Sequence, residues 1–298
     1  MNKILATLFL LLLTSQAHAA LNVFACEPEW AALTKELAGD KADIYAATTA
    51  LQDPHQIQAR PSLIAKARRA NLVVCTGSEL EIGWLPVILR ESGNPDIAPG
   101  KPGNFEAASS VTMLEVPTRL DRADGDVHAG GNPHIQTGAP NFMPIARSLS
   151  ARLTELDPAN AAFYRGRLQT FTQQWQAAIV RWEKQAAPLK GQVIIVHHKD
   201  FTYLNQWLGL KEVATLEPKP GMEPSVAHLT QVLDQLQRQP AKMVIRAAYQ
   251  NPKPSEWMAE HAHIPAVALP FSVGGTDGAK DLYGLFDDTI ARLLAGLK

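Results

Sequence analysis

Four potential metal ligands stand far apart in the chain, each in a loop rich in turn residues. They are His55 in DPHQIQARPS, His134 in GGNPHIQTG, His198 in VIIVHHKDFTYL and Asp277 in SVGGTDGAKD. Three imidazoles with one carboxylate make a nitrogen-rich set that suits Zn²⁺ better than Mn²⁺ or Mg²⁺. No local motif such as H-E-x-x-H is present, so a site built from these four must be assembled by the fold. His198 follows the apolar run VIIV by two positions, and ligands of open α/β sheets gather beyond the carboxyl ends of strands.

The remaining titratable residues read as structure. His197 is expected to bond nearby backbone or to support His198. His261 and His263, in AEHAHIP, read as a helix C-terminus, where the dipole favours imidazolium. His228 lies on a helix with Leu229, Val232, Leu233 and Leu236 and is expected to be partly exposed, and Asp281 is expected in the final helix. Glu79 and Glu81, in GSELEIGW, are conceivable catalytic bases that read better as structural groups. Asp124, Asp126 and His128, in DRADGDVH, are candidates for accessory metal capture, set against the plainer reading of a solvated loop.

Short Val- and Ile-rich runs alternate with helical patterns, which predicts an α/β fold. Strands are expected over residues 22–25, 42–46 and 71–75, with helices over 30–38 and 62–70. The same order returns as strands 192–196, 212–215 and 242–245, with helices 201–208 and 225–237. Gly39 and Gly209 close the first helix of each half, and Ser62 and Ser225, each after a proline, are placed to cap the second. The first half is longer by seven residues between these marks, and the extra loop carries His55. The reading is two similar lobes, residues 20–140 and 191–298, each a small mostly parallel sheet flanked by helices. Residues 141–190 join them as two helices. The second, opened by Asp157-Pro158, runs for about 30 residues, a rigid strut of some 45 Å. Its stripe of Phe163, Leu168, Phe171, Trp175, Ile179 and Trp182 is expected to be core.

Residues 1–19, with Lys3, an apolar run over 4–13 and Ala17-His18-Ala19, read as a cleavable signal peptide. The run is too short to span a bilayer, so the mature chain is expected to be exported without a membrane anchor. Val23-Phe24-Ala25-Cys26 loosely resembles a lipidation box, but Phe24 is bulky where a small residue is needed. Cys26 and Cys75 each end a strand-like run, which leaves open a disulfide between adjacent strand ends or two buried thiols. Without Lys3 the balance is 27 basic against 29 acidic residues, and no basic patch is present. Nucleic acid and anionic membrane are therefore poor partners.

The segments HQIQARPS, NPHIQ, HHKDFTYLNQWLGL, Glu223-Pro224-Ser225 and VGGTDGAKDLYGLFD together resemble the zinc-binding solute receptors of ABC transporters, in the metal-receptor family with one long interlobe helix. The likeness spans essentially the whole mature chain. It implies a periplasmic, monomeric, non-catalytic protein that delivers Zn²⁺ to a membrane permease with its ATPase. It also implies receipt of zinc from a periplasmic metallochaperone as a further role for the acidic loop. The family's H-x-x-F-x-Y pattern selects His198, followed by Phe201 and Tyr203, where a manganese member would carry a carboxylate. The chain departs from the family in replacing a long histidine-rich loop with residues 121–128. The fourth ligand, here Asp277, is the family's least regular position. The rival readings are a secreted zinc hydrolase, which would keep one coordination position open for water beside a base, and a metal-dependent adhesin.

Overall fold

The computed structural model describes residues 20–298 apart from 122–124 and 126. The expected leader over 1–19, and Asp124 and Asp126, lie outside the described residues. The first half comprises β1 (Leu21–Ala25), α1 (Pro28–Ala38), β2 (Ala42–Ala46), α2 (Pro61–Ala67), β3 (Leu72–Cys75), α3 (Leu85–Ser92) and β4 (Asn104–Glu106). Then come α4 (Phe142–Leu156) and α5 (Ala161–Gln185). The second half comprises β5 (Val193–Val196), α6 (Thr202–Leu208), β6 (Lys211–Thr215), α7 (Val226–Arg238), β7 (Met243–Ala247), α8 (Lys253–Ala262), β8 (Ala266–Leu269) and α9 (Leu282–Ala295).

The two four-stranded sheets have one plan, β2-β1-β3-β4 and β6-β5-β7-β8, with every pairing parallel. Parallel strands need helical crossovers on both faces, so their strands are apolar without alternation. The fully buried run LVVC of β3 is an instance. In each sheet the chain turns first to one side and then to the other of a central strand, β1 or β5. The crevice beyond the carboxyl ends of β1/β3 and β5/β7 is where such sheets place ligands.

Local signals hold with instructive exceptions. Gly39 and Gly209 close α1 and α6 at φ 56° and 71°. Ser225 caps α7 by accepting from the His228 N–H. Ser62 does not cap α2: Arg60 holds the cap position and Pro61 fills the first turn, where its missing N–H costs nothing. α5 has 25 residues, shorter than expected, because 3₁₀ turns at Pro158–Asn160 and Ala187–Leu189 take up its ends.

An aromatic spine joins the halves. Trp30 of α1 lies 5.7 Å from Phe142 of α4, which lies 5.2 Å from Trp175 of α5. Trp175 in turn meets Trp182 at 5.1 Å and Phe286 of α9 at 5.6 Å. All five rings are buried, and the Trp175 indole N–H is satisfied by the Ala139 carbonyl at 2.8 Å. Of the expected stripe on α5, Phe171, Trp175, Ile179 and Trp182 are core, while Phe163 and Leu168 are only partly buried against it.

Cys26 and Cys75 are bridged, pinning the carboxyl ends of β1 and β3. Just past that bridge lie three buried carboxylates, Glu27, Glu29 and Glu81. Glu81 accepts the N–H groups of Thr76 and Gly77, and Glu27 accepts the Thr76 hydroxyl, so both serve structure rather than catalysis. Glu29 accepts the hydroxyl of Ser272, a contact between the two halves. Burial pushes both Glu29 and Glu81 up to about 7. A carboxyl raised in the folded state binds its proton more tightly there than when unfolded. Its contribution to stability is therefore complete below about pH 4.5 and lost as pH rises through about 7. Glu29→Gln has no such proton, so its unfolding free energy should gain on wild type between pH 5 and pH 8. Denaturant titrations at those pH values give the difference; a gap that is flat with pH would mean Glu29 is ionised throughout.

Candidate metal centre

Two of the three candidate histidines are held by the same local device. In Asp53-Pro54-His55, Asp53 Oδ1 accepts both the His55 backbone N–H, at 3.0 Å, and its Nδ1, at 2.8 Å. In Asn132-Pro133-His134, Asn132 Oδ1 accepts the His134 N–H and Nδ1, each at 3.0 Å. Proline fixes the backbone between acceptor and imidazole, so the ring is oriented from two residues away. The loops are held in turn. Trp84 Nε1 donates to the Pro54 carbonyl at 2.8 Å. Gly131, at φ 100°, lets the second loop run against Leu114, whose carbonyl oxygen would lie 2.7 Å from any added Cβ.

His198 is held across the second sheet. It leaves β5, and its Nδ1 lies 2.7 Å from Glu217 Oε2, which the Gly221 N–H also reaches at 2.9 Å. Ionised carboxylates and a carbonyl-type amide oxygen can only accept, so each of the three rings carries its proton on Nδ1. Each therefore leaves Nε2 as the nitrogen free to meet a metal, the arrangement by which proteins orient imidazoles toward one, although on His198 that nitrogen must first give up a proton. The His134 Nε2 is buried and has no hydrogen-bond partner among the described residues.

The rings converge. Centroids of His55 and His134 lie 5.3 Å apart, those of His134 and His198 5.3 Å, and those of His55 and His198 6.1 Å. The fourth group beside them is Asp200. The ligand atoms of His134, His198 and Asp200 all lie within 4.8 Å of one another, and Asp200 Oδ1 is 3.8 Å from His134 Nε2. Asp200 is fully buried, its oxygens fixed by the Tyr249 hydroxyl at 3.2 Å and the Gln250 amide at 2.6 Å. Asp277 lies exposed in a turn before α9, and both it and His55 fall outside that three-residue cluster. From the same loop it is Phe271 that reaches the site, its ring 5.6 Å from that of His134.

His128 lies 5.4 Å from His55, ring to ring, at the edge of the same cleft. His197 is buried with Nδ1 unpaired, and burial drives its pKa down to about 4. His261 and His263 end α8 as expected, and His228 bonds the Thr215 carbonyl; none joins the site. A cavity of about 210 Å³, lined by Asp53, His55, His198 and Glu217 among others, opens onto the histidines. A larger one, about 600 Å³, lies beside Cys75 and Ile82 in the first half with mostly apolar walls and offers no comparable chemistry.

The electrostatics are divided. Burial, reinforced by the other imidazoles, holds His134 well below the usual histidine range. Burial acts on His198 in the same direction, but the carboxylates of Asp200, Glu217 and Asp53 outweigh it and raise His198 to about 9. The cleft is thus built to receive positive charge, and a proton takes that place when no cation does.

Two parallel-sheet halves on a rigid helical strut, with a polar cleft between them, describe a bilobal receptor for a small cation. The family model for "ZnuA: Zinc-uptake complex component A periplasmic" matches residues 23–296, and the chain belongs to this family of metal-binding substrate-binding proteins of ABC transporters. These proteins are receptors, not enzymes. The chain is similar to the manganese ABC transporter substrate-binding lipoprotein PsaA of Streptococcus anginosus, with 21% identity over 292 residues, 93% of this chain and 89% of that protein. It is also similar to the metal ABC transporter substrate-binding lipoprotein FimA of Streptococcus parasanguinis, with 22% identity over 266 residues, 87% of this chain and 82% of that protein. Among solved structures, a crystal structure of ZnuA superposes with a TM-score of 0.78 at 21% identity, covering 94% of this chain and all of that one. The cadmium-bound periplasmic metal-binding protein of Candidatus Liberibacter asiaticus gives 0.75 at 18% identity, covering 93% and 99%.

The raised pKa of His198 has a direct test in the metal-free protein. Titrated by NMR, His198 should remain protonated to about pH 9, and Glu217→Gln should bring its midpoint down. An unchanged midpoint would mean that Glu217 does not hold the ring.

Proposed function

We propose that this chain is a periplasmic high-affinity zinc receptor, which binds one Zn²⁺ between its lobes and delivers it to an ABC permease for import. The ligands are the Nε2 atoms of His55, His134 and His198, with the Asp200 carboxylate in the fourth place in preference to the exposed Asp277. The observation that carries this reading is the set of three imidazoles whose Nδ1 atoms are all taken by acceptor oxygens. A nitrogen-rich tetrahedral set favours Zn²⁺, and four protein ligands close the sphere that a hydrolase would keep open. Export through the leader, action as a monomer, and receipt of zinc from a metallochaperone near His128 complete the proposal.

Manganese is the second reading, favoured by the buried carboxylate of Asp200 and by the likeness to PsaA, a manganese ABC transporter substrate-binding lipoprotein. Competition decides between them. Purified protein should hold one Zn²⁺ per chain and release Mn²⁺ to it; equal retention of manganese would reject the zinc assignment. Asp200→Asn should weaken zinc binding by about tenfold or more, whereas Asp277→Asn should bind like wild type. The converse result would restore Asp277 to the site.

Protons give an independent check. At neutral pH the metal must displace the proton held by His198, so each ion bound should release close to one proton, and affinity should fall as pH drops from 8 to 5. Calorimetry in buffers of different ionisation enthalpy measures the release; binding without proton release would exclude His198 as a ligand.

A further inference from the structure

The two Asx-Pro-His clamps differ in one atom. Asp53 offers only oxygens, whereas Asn132 carries an amide nitrogen, and that nitrogen faces the other half of the molecule. Asn132 Nδ2 lies 2.9 Å from the Lys199 carbonyl, 3.1 Å from Thr202 Oγ1 and 2.9 Å from Glu115 Oε2. Lys199 and Thr202 belong to the turn that carries His198 and Asp200. The contact is reinforced on every side. Lys199 Nζ pairs with Glu115 Oε1 at 2.6 Å, and the Tyr203 hydroxyl donates to the Asn132 carbonyl at 2.7 Å. Glu115 itself sits at φ 51°, a backbone conformation that a residue other than glycine rarely takes.

We infer that Asn132 is a positioning residue that couples the lobe-one ligand His134 to the lobe-two ligand turn. A carboxamide is planar, so its oxygen and nitrogen cannot turn independently. When the 199–202 turn and Glu115 fix Nδ2, they also fix Oδ1, and Oδ1 holds the imidazole of His134 with Nε2 toward the cleft. When the two halves part, the amide loses its partners on the far side and His134 loses its orientation. Tight binding is thereby confined to the docked arrangement of the lobes, with no change in the ligands themselves. Asn132 is only 7% exposed, so water offers its amide little substitute for these partners. The first clamp has no such link, since no bond to its carboxylate crosses between the lobes among those described.

This inference rests on the reading of His134 as a ligand, and the experiment separates the two. Zinc affinity is measured by competition with a chromogenic chelator, and the Co²⁺ absorption spectrum reports on the ligand set, in wild type, His134→Ala, Asn132→Ala, Asn132→Asp, Glu115→Ala and the Asn132→Ala/Glu115→Ala double variant. Circular dichroism accompanies each. His134→Ala must lose binding by orders of magnitude; if it binds as wild type does, the ligand set fails and the inference falls with it. Asn132→Ala should weaken binding by about 10- to 100-fold. Asn132→Asp keeps an acceptor for the imidazole N–H but sets a second oxygen against the Lys199 carbonyl and Glu115 Oε2, so it should recover little of that loss. Glu115→Ala, which touches no ligand, should weaken binding when Asn132 is present and add nothing in the Asn132→Ala background. Three results would overturn the coupling role while His134 stands as a ligand: wild-type affinity in Asn132→Ala, wild-type affinity in Asn132→Asp, or an equal effect of Glu115→Ala in both backgrounds.

Discussion

The arrangement depends on one constraint: an imidazole whose Nδ1–H is committed to an acceptor has only Nε2 left to offer, and its direction is fixed. Three such rings point into one cleft, and the His134 Nε2 is buried without a hydrogen-bond partner among the described residues. A buried unsatisfied polar atom costs about 1–3 kcal/mol, and it stays in place only where the surroundings over-determine it. Here proline on one side and an acceptor oxygen on the other leave the ring no alternative. A cation arriving in the cleft relieves that cost and the repulsion among three carboxylates at once. The site therefore stores its affinity in the structure of the metal-free protein.

Everything larger serves to keep those directions aligned. Ligands from opposite lobes must agree to within fractions of an ångström, and a flexible connection would not hold them. The continuous aromatic spine from Trp30 through Phe142 and Trp175 to Phe286 makes the strut part of both cores. Across the cleft the halves are also joined by polar contacts: Glu29 to Ser272, Lys199 to Glu115, and Asn132 to the 199–202 turn. A rigid back and a polar front suit a receptor that must hold its ion firmly and still let it go.

Much of this was legible in the chain. The doubled pattern of strands and helices, the capping glycines and the core stripe on α5 follow from periodicity and local stereochemistry, which a short window contains. His198 was marked by its place beyond an apolar strand, and His55 and His134 by turn-rich loops. The repeated Asx-Pro-His could have been read as a ring clamp, since acceptor, proline and imidazole are adjacent in sequence. β4 and β8 were missed because NFE and AVAL are too short to show a period. Asp200 was passed over because it is an unspecified position of the H-x-x-F-x-Y pattern, and the groups that hold its oxygens, Tyr249 and Gln250, lie about fifty residues away. Asp277 drew attention for its glycines, yet which face of that loop turns inward is set by Phe271 and Ser272 packing across the cleft.

X-ray absorption at the zinc K-edge of the loaded protein, with His198→Ala beside it, tests the central claim most directly. The account predicts a four-coordinate ion at nitrogen and oxygen distances of about 2.0–2.1 Å, with the outer-shell scattering of three imidazoles, one of which is lost in the variant. A shell dominated by oxygen, or one unaltered by the loss of His198, would contradict it.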